Sequence, residues 1–330
     1  MNNAKCVTLD YVCKEIKTKK QTLVLCHRNP DPDTLGSAFA LKHLLEFYGS
    51  CVTVACADKY ASKFSFITGG ADLTLSDKEY ERIIAVDVAS PAQLGALEYL
   101  HERVNLIIDH HAMNTRFANY YEELCSSCAE IIYIIGKRLG VLKRIDKHFF
   151  DCVYAGMTSD TGGFRYSSVT PRTMNLASEI LGFGIDHAEI NRIIFEAKTM
   201  GEIKAQRLAY ENMRLYSDGA LAIVSFSNKT KEENGILDED IGDIVNTVRG
   251  LEGVLVAISL KQASNENNKY FISSRSNAEI DVSEVCSSLG GGGHKRAAGA
   301  SINASSEEEA ISACRDAFLP LVEKYKENQK

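Results

Sequence analysis

Three apolar runs in the N-terminal half of the chain end in residues that bind metal ions or move protons. These residues are His27, Asp31 and Asp33 after "TLVLC", Asp87 after "RIIAV", and Asp109, His110 and His111 after "VNLII". A further carboxylate, Asp160, stands where a helical pattern stops at a glycine pair, in "MTSDTGGF". Such apolar runs indicate buried strands, and ligands bind at the edge where the carboxyl ends of parallel strands meet. We therefore expect all these side chains to converge.

The convergence of several carboxylates predicts a site for divalent cations. Carboxylates that crowd together repel one another, so that either their pKa values rise or cations lie between them. Carboxylate and imidazole donors without thiolate suit Mn²⁺ or Mg²⁺, and they also accommodate Fe²⁺ or Co²⁺. The number of donors fits two ions better than one. Two close cations are a standard arrangement for displacement at phosphorus, in which water is activated as hydroxide.

Each of these residues also has a structural explanation when it is taken alone. Asp33 could cap a helix that begins near Thr34, and Asp87 could cap the turn at "VASPAQ". His27 could be a strand-end histidine whose hydrogen bonds are satisfied. These explanations must hold at three strand ends at once, whereas one metal site explains all three ends together.

The surrounding segments predict a doubly wound α/β domain at residues 1–188. Short Val, Ile and Leu runs alternate with segments of helical spacing, which indicates a mainly parallel sheet covered on both faces. We expect strands within 22–27, 51–56, 81–90 and 104–111, and helices over 36–49, 129–140 and 148–160. A long charged helical segment at 187–216, broken near Gly201, supplies a connector that we assign to residues 189–218.

Residues 219–330 predict a smaller α/β domain with a mixed sheet, because their strand-like segments lack the rhythm of parallel crossovers. The motif "GGGGHKRAAG" begins at Gly290. Its glycines would let the backbone approach a phosphate, while His294 and the basic residues beside it would add charge. Arg275 could contact a phosphate through two hydrogen bonds. The alternative is a flexible glycine-rich loop with solvated charges. We expect the active site in the cleft between the two domains.

Composition restricts the partners of the chain. The net charge is −7 over 330 residues, whereas proteins that hold long nucleic acid through phosphate contacts are usually basic. A nucleotide substrate should therefore be short. The sequence has no signal-peptide pattern and no apolar run of membrane-spanning length, so we expect a cytoplasmic protein without membrane contact. The ten cysteines suit reduced thiols, and the single C-x-x-C of Cys125 and Cys128 lacks the second ligand pair of a structural zinc site.

Taken together, these motifs resemble those of the DHH phosphoesterase superfamily. The triplet Asp109-His110-His111, with His27-x-x-x-Asp31-x-Asp33 upstream, is similar to the metal-binding half of that superfamily. The segments "SSRS" and "GGGGHKRAAG" are similar to its associated DHHA1 domain. The short two-domain layout resembles the NrnA-type subfamily. This resemblance implies hydrolysis of very short RNA (nanoRNA), of dinucleotides such as pApA, and of 3′-phosphoadenosine 5′-phosphate (pAp).

The resemblance also implies a role for each residue. One ion would be held by His27, Asp31 and Asp87, and the second by Asp33, Asp87, His110 and Asp160, with Asp87 as the bridge. Beside the bridging Asp87, catalytic roles would fall to Asp109, which orients an imidazole, and to His111, which faces the substrate. The far end of the nucleotide would be held by Arg275, Gly292, Gly293 and His294, and Arg165 could reach a phosphate.

Three other functions stay open at this point. A phosphodiesterase for cyclic di-AMP or linear dinucleotides would share the catalytic half, and an inorganic pyrophosphatase would share the metal ligands. A non-catalytic nucleotide-binding protein would share the fold. The glycine-rich motif favours a nucleotide over pyrophosphate, and the complete set of metal positions favours an enzyme. A homodimer is compatible with the sequence, which does not fix the oligomeric state.

Overall fold

A parallel five-stranded sheet forms the centre of the first unit, Met1–Ala197. The computed structural model describes residues 5–111, 117–122, 125–242 and 244–329. The strands lie in the order β2-β1-β3-β4-β5, and they are β1 Gln21–Leu25, β2 Cys51–Ala55, β3 Arg82–Val86, β4 Leu106–Asp109 and β5 Asn119–Glu122. Every neighbouring pair is parallel. This arrangement confirms the predicted fold class, and β5 is a strand that the sequence pattern did not predict.

The two faces of this sheet are covered differently. Alternate residues of β1 point to opposite faces: Val24 packs among the helices, whereas Leu23 and Leu25 pack against a 3₁₀ segment, Pro91–Arg103. The helices of the unit are α1 Leu9–Lys17, α2 Pro32–Phe47, α3 Ser65–Thr68, α4 Cys128–Leu139, α5 His148–Asp160, α6 Pro171–Leu181 and α7 His187–Asn191. The predicted helices over 129–140 and 148–160 are therefore confirmed to within one residue.

Helix α2 begins four residues earlier than the predicted start at residue 36. Asp31 is its N-cap and accepts hydrogen bonds from the backbone N–H groups of Asp33 and Thr34. Pro32 occupies the first helical position, where no N–H partner is needed. Gly36 therefore lies inside the helix, where a Cβ would clash with the carbonyl of Cys152. This glycine lets α2 and α5 approach closely, and it is not the start of the helix.

A mixed six-stranded sheet forms the centre of the second unit, Lys198–Lys330. Its order is β10-β11-β9-β8-β7-β6, and only β7 and β8 pair in parallel among the pairs that the structure describes. The strands are β6 Arg214–Tyr216, β7 Leu221–Phe226, β8 Val256–Gln262, β9 Lys269–Ser276, β10 Gly292–His294 and β11 Ala297–Asn303. The helices are α8 Met200–Asn212, α9 Asn228–Asn234, α10 Ile244–Arg249, α11 Val282–Ser288 and α12 Glu307–Glu327.

The segment 187–216, predicted to be helical with a break near Gly201, is divided. Helix α7 is followed by a π-helical turn at Arg192–Glu196, and the two units divide at residues 197 and 198. Thr199 then caps α8 through the backbone N–H of Glu202. The break thus comes before Gly201, because a capping residue, not the glycine, begins the new helix.

The glycine-rich motif is a β-hairpin and not a flexible loop. Strand β10 pairs antiparallel with β11, and the turn between them contains Lys295 and Arg296. Both cations form ion pairs with Glu279, at 2.6 Å for Lys295. The basic residues that were expected to add charge for a ligand are therefore already paired within the unit.

All ten cysteines are free thiols, and eight of them are buried. No helix in the described ranges has the length and apolar character that crossing a membrane requires.

Candidate metal centre

The side chains that follow β1, β3 and β4 meet at the carboxyl edge of the first sheet. His27 Nε2 lies 3.4 Å from Asp87 Oδ2 and 3.6 Å from Asp31 Oδ1. On the other side of Asp87, His110 Nε2 lies 3.5 Å from Asp87 Oδ1 and 3.3 Å from Asp160 Oδ2. The structure therefore brings together residues from three strand ends and from the end of α5.

The potential ligand atoms form three overlapping groups, in each of which all atoms lie within 4.8 Å of one another. The groups are His27, Asp31 and Asp87; Asp33, His110 and Asp160; and Asp87, His110 and His111. The first two groups contain all six residues that the sequence suggested as metal ligands. None of the three groups found among the described residues contains a cysteine, so the C-x-x-C pair takes no part in them.

Asp87 belongs to two of the three groups, and its conformation is unusual. Its φ of 56° lies in the left-handed region, which non-glycine residues seldom adopt outside strained or functional positions. The residue is 3% exposed, and its Oδ1 atom is buried without a hydrogen-bond donor. An unsatisfied buried carboxylate oxygen is unfavourable, and a cation at this position would satisfy it. The donor set therefore fits a divalent metal ion.

Asp33 is held by the first turn of α4. Its carboxylate accepts hydrogen bonds from the backbone N–H groups of Cys128, at 2.7 Å, and Ala129, at 2.9 Å. These are two of the N–H groups that a helix N-terminus leaves without an internal partner. Asp33 is fully buried, so its orientation is fixed before any ion binds.

Backbone carbonyls orient the rings of His27 and His110. His27 Nδ1 lies 2.7 Å from the carbonyl of Arg28, and His110 Nδ1 lies 3.4 Å from the carbonyl of Cys125. A carbonyl only accepts, so in both rings Nδ1 donates and Nε2 faces the carboxylates. This is the usual way in which a neighbouring acceptor orients a metal-binding imidazole.

Burial and neighbouring charges shift the pKa values of the clustered side chains in different directions. Burial, together with the neighbouring Asp87, raises the pKa of Asp33 to about 7, and burial followed by the surrounding carboxylates raises the pKa of Asp160 well above its ordinary value. Burial opposes protonation of His27 and His110, yet the adjacent carboxylates raise the pKa of both histidines well above 6.5. Asp87 has the opposite shift: burial works against its ionised form, but the two imidazoles hold its pKa below its ordinary value.

Asp109 orients His111. Its Oδ1 lies 2.7 Å from His111 Nδ1 and also accepts the backbone N–H of His110 at 2.9 Å. Asp109 is 1% exposed, whereas His111 is half-buried. The predicted pairing of Asp109 with an imidazole is thus present in the structure, and the imidazole is that of His111.

The residues suggested for substrate binding lie in two places. Arg165 is exposed on the first unit, where its Nε donates to the carbonyl of Gly162 and its guanidinium lies 5.7 Å from the ring centre of Phe195. Arg275 and His294 lie in the second unit, both opposite Ala297 in the sheet register. Directly opposed residues share a face, so Arg275 and His294 lie on the same face of that sheet.

Gly292 and Gly293 precede His294 on strand β10. Gly293 has a φ of 142° and Cβ space blocked by Ala298, so only glycine fits there. Gly292 has open space around its Cβ position. Its side-chain space is therefore available to a ligand, whereas that of Gly293 is taken by the hairpin itself.

Sequence reasoning missed Gln93, which shapes the loop after Asp87. Its Oε1 accepts the backbone N–H groups of Ala89, at 2.6 Å, and Ser90, at 3.3 Å. Its carbonyl accepts the N–H of Arg28, next to His27. A signal for it existed, because Ser90-Pro-Ala-Gln93 has the spacing of a capping box.

Comparisons with known proteins agree with this architecture. Residues 21–157 match the family model described as the DHH family, N-terminal domain, and residues 218–319 match the DHHA1 domain. A probable bifunctional oligoribonuclease and PAP phosphatase NrnA of Streptococcus mutans is 29% identical over 91% of this chain and 95% of its own length. The bifunctional oligoribonuclease and PAP phosphatase NrnA of Thermus thermophilus is 26% identical over 89% of this chain and 88% of its own length.

A solved structure has the same fold over nearly the whole chain. The crystal structure of an exopolyphosphatase-related protein from Bacteroides fragilis superposes with a TM-score of 0.86 at 24% identity, covering 96% of both chains. The two family models fall within the two compact units, and the ligand groups lie in the first of them. The first unit therefore contains a DHH domain, and the second unit contains a DHHA1 domain.

Proposed function

We propose that the protein is a two-metal phosphoesterase that hydrolyses short oligonucleotides, such as nanoRNA and pApA, and the phosphate ester of pAp. The observation that carries this proposal is the position of Asp87 between two imidazoles. Its Oδ2 faces His27 at 3.4 Å and its Oδ1 faces His110 at 3.5 Å. A carboxylate that presents one oxygen to each of two donor groups suits a bridge between two cations.

The two ligand groups on either side of Asp87 would hold the ions. One ion would take His27, Asp31 and Asp87, and the other would take Asp33, Asp87, His110 and Asp160. Oxygen and nitrogen donors without thiolate favour Mn²⁺, with Mg²⁺, Co²⁺ or Fe²⁺ as alternatives. Bound there, the cations would lower the pKa of an attacking water and stabilise negative charge on the phosphoryl oxygens.

His111 is the side chain suited to move a proton. Burial opposes protonation of His111, but its hydrogen bond to Asp109 and the negative charges of Asp87 and Asp109 together outweigh burial, so that its pKa is raised above 6.5. A histidine that keeps its proton near neutral pH can donate it to a leaving oxygen. Asp109 supports this role by fixing the ring through Nδ1, so that Nε2 is the atom available to the substrate.

The second unit supplies the groups that would bind the remainder of the nucleotide. Arg275 and His294 share a sheet face, and Gly292 beside them leaves its side-chain space open. We propose that these residues contact the terminal phosphate or base, with Gly293 required for the hairpin that presents His294. Arg165 would contact a phosphate on the first unit. The relatives named for oligoribonuclease and PAP phosphatase activity support the choice of substrate.

A substrate panel tests this proposal. Hydrolysis of pAp, linear pApA, a three-nucleotide RNA, cyclic di-AMP and pyrophosphate is measured with Mn²⁺ over a common concentration range. We expect pAp and the linear oligonucleotides to be hydrolysed with the highest kcat/KM. Preference for cyclic di-AMP without activity on pAp would make the protein a cyclic dinucleotide phosphodiesterase. Preference for pyrophosphate would also overturn the proposal, as would Mn²⁺ binding without hydrolysis of any substrate.

A further inference from the structure

One short segment, Cys125–Ala129, contacts two members of the second ligand group, His110 and Asp33. The carbonyl of Cys125 accepts from His110 Nδ1 at 3.4 Å, while the N–H groups of Cys128 and Ala129 bind Asp33. A shift of this segment would therefore move both ligands at once. The groups that hold this segment in place therefore also determine the geometry of the site.

Glu130 holds this segment in place through hydrogen bonds. Its side chain is completely buried, and its Oε2 accepts three hydrogen bonds: from the Ser126 N–H at 3.1 Å, from Ser126 Oγ at 2.6 Å, and from Thr173 Oγ1 at 3.0 Å. A buried carboxylate is strongly disfavoured unless it is paired and hydrogen-bonded. These contacts tie the loop before α4 to the first turn of α6.

Arg172 completes the arrangement by neutralising Glu130. Its Nε donates to Glu130 Oε1 at 3.0 Å, and its Nη2 lies 3.0 Å from the Cys125 Sγ atom. The same guanidinium thus contacts both the buried carboxylate and the residue whose carbonyl orients His110. The Arg172 side chain is 41% exposed, so it can be replaced without opening a cavity in the core.

We infer that Glu130 and Arg172 are positioning residues for the ion held by Asp33, His110 and Asp160. The inference rests on the proposed two-metal function, and neither residue belongs to any of the three ligand groups. The pair sets the position of the segment Cys125–Ala129, and that segment sets the direction of Asp33 and of the His110 ring. Removal of either member of the pair weakens binding at that ion site, while the ion held by His27 and Asp31 is bound as before.

The chain offers a matched control pair. Lys137 and Glu179 also join α4 to α6, with Nζ 2.7 Å from Oε1, but at the opposite ends of the two helices. Replacing Lys137 or Glu179 breaks a contact between the same helices without touching the segment that holds Asp33 and His110. A general loosening of the α4–α6 contact would therefore affect both pairs alike.

The test is direct titration of the full-length protein with Mn²⁺, with free Mn²⁺ followed by electron paramagnetic resonance. We expect two bound ions in the wild type, and in Arg172→Met and Glu130→Gln a dissociation constant raised about 10- to 100-fold for one ion only, as is usual when partners of metal ligands are removed. Arg172→Lys should recover part of the affinity, because the amine can still pair with Glu130. Lys137→Met and Glu179→Gln should titrate like the wild type.

The outcomes separate this inference from the proposed function. A wild type that binds no Mn²⁺ would overturn the two-metal function itself. A wild type that binds two ions, with Arg172→Met binding both equally well, would overturn the positioning role alone. Equal weakening in the Lys137→Met control would assign the effect to loosened helix packing and also overturn it. If Glu130→Gln does not fold, Arg172→Met decides, because its side chain is largely at the surface.

Discussion

Gly156 of α5 lies directly against the Asp33 carboxylate of α2. A Cβ placed on Gly156 would come within 2.6 Å of Asp33 Oδ1, which is closer than side chains tolerate. The same carboxylate accepts the backbone N–H groups of Cys128 and Ala129, and the added Cβ would also come within 2.5 Å of the Ala129 Cβ atom. The absence of a side chain at Gly156 thus leaves the space that the Asp33 carboxylate occupies.

Gly156→Ala is therefore expected to displace Asp33 and to weaken Mn²⁺ binding by at least about tenfold. Overpacking of this kind also lowers the free energy of unfolding by about 1–3 kcal/mol. Isothermal titration with Mn²⁺ and denaturant unfolding of the metal-free protein measure the two effects. Gly136→Ala is the control, since its Cβ would meet the Leu142, Phe149 and Leu44 side chains, at 3.0, 3.1 and 3.5 Å, and none of these belongs to the ligand groups. Comparable metal affinity in the two variants would contradict the role assigned to Gly156.

The convergence of these side chains could be predicted from the sequence because their placement follows from the ends of strands. His27, Asp87 and His110 each follow a buried apolar run, and the parallel register brings the ends of such runs to one edge. The residue types alone then predict a cation site. That the residues converge thus follows from their positions after the strands, without knowledge of side-chain direction.

The parts of the site that could not be predicted depend on backbone groups and long-range pairs. The donors to Asp33 are the backbone N–H groups of Cys128 and Ala129. Every residue except proline carries such a group, so the residue type does not reveal it. Likewise, Lys295 and Arg296 form ion pairs with Glu279 because the hairpin places them beside it. Periodicity and composition contain no information about such contacts.

Asp87→Asn tests the bridge. The amide keeps the shape of the side chain but replaces one anionic oxygen with an NH₂ group that cannot bind a cation. We expect kcat with Mn²⁺ to fall by at least roughly a thousandfold, because the charge stabilisation that the cations supply amounts to several kcal/mol. Circular dichroism checks that the variant is folded. Activity within tenfold of the wild type would contradict the bridging position of Asp87.

The metal-free protein should become more stable as the pH falls from about 8 to about 6. The folded-state pKa values of His27 and His110 are raised, so the stability that they contribute is complete below the unfolded value and is lost as the pH rises through the folded value. Asp33, whose pKa is raised to about 7, acts in the same direction, because its ionisation inside the fold is unfavourable. Thermal unfolding in the presence of a chelator measures this dependence.

The stabilisation that Mn²⁺ adds should have the opposite pH dependence. The cation competes with the protons of the same groups, so its affinity falls as the pH decreases and its binding releases protons. The increase in Tm on adding Mn²⁺ should therefore be larger at pH 8 than at pH 6. An increase that is independent of pH would show that these residues do not exchange protons for the ion.

His294→Ala tests the second unit. If His294 holds the far end of the substrate, its loss should raise KM for pApA by about tenfold and leave kcat within a factor of about three, since binding common to ground and transition states is removed. Lys295→Met is the matched control on the neighbouring residue, because Lys295 is already paired with Glu279. A lower kcat with unchanged KM, or an equal effect of Lys295→Met, would contradict the assignment.

Asp109→Asn separates orientation from metal binding. Asp109 Oδ1 lies 2.7 Å from His111 Nδ1 and contributes to the raised pKa of that histidine. A proton donor loses activity as the pH rises through its pKa, so a lowered pKa of His111 should move the alkaline limb of the pH profile of kcat towards acid. Since Asp109 belongs to none of the three ligand groups, Mn²⁺ affinity should change by less than about threefold. His111→Asn should remove that limb altogether. If Asp109→Asn lowers Mn²⁺ affinity and leaves the alkaline limb of the pH profile unchanged, Asp109 supports ion binding and does not set the pKa of His111.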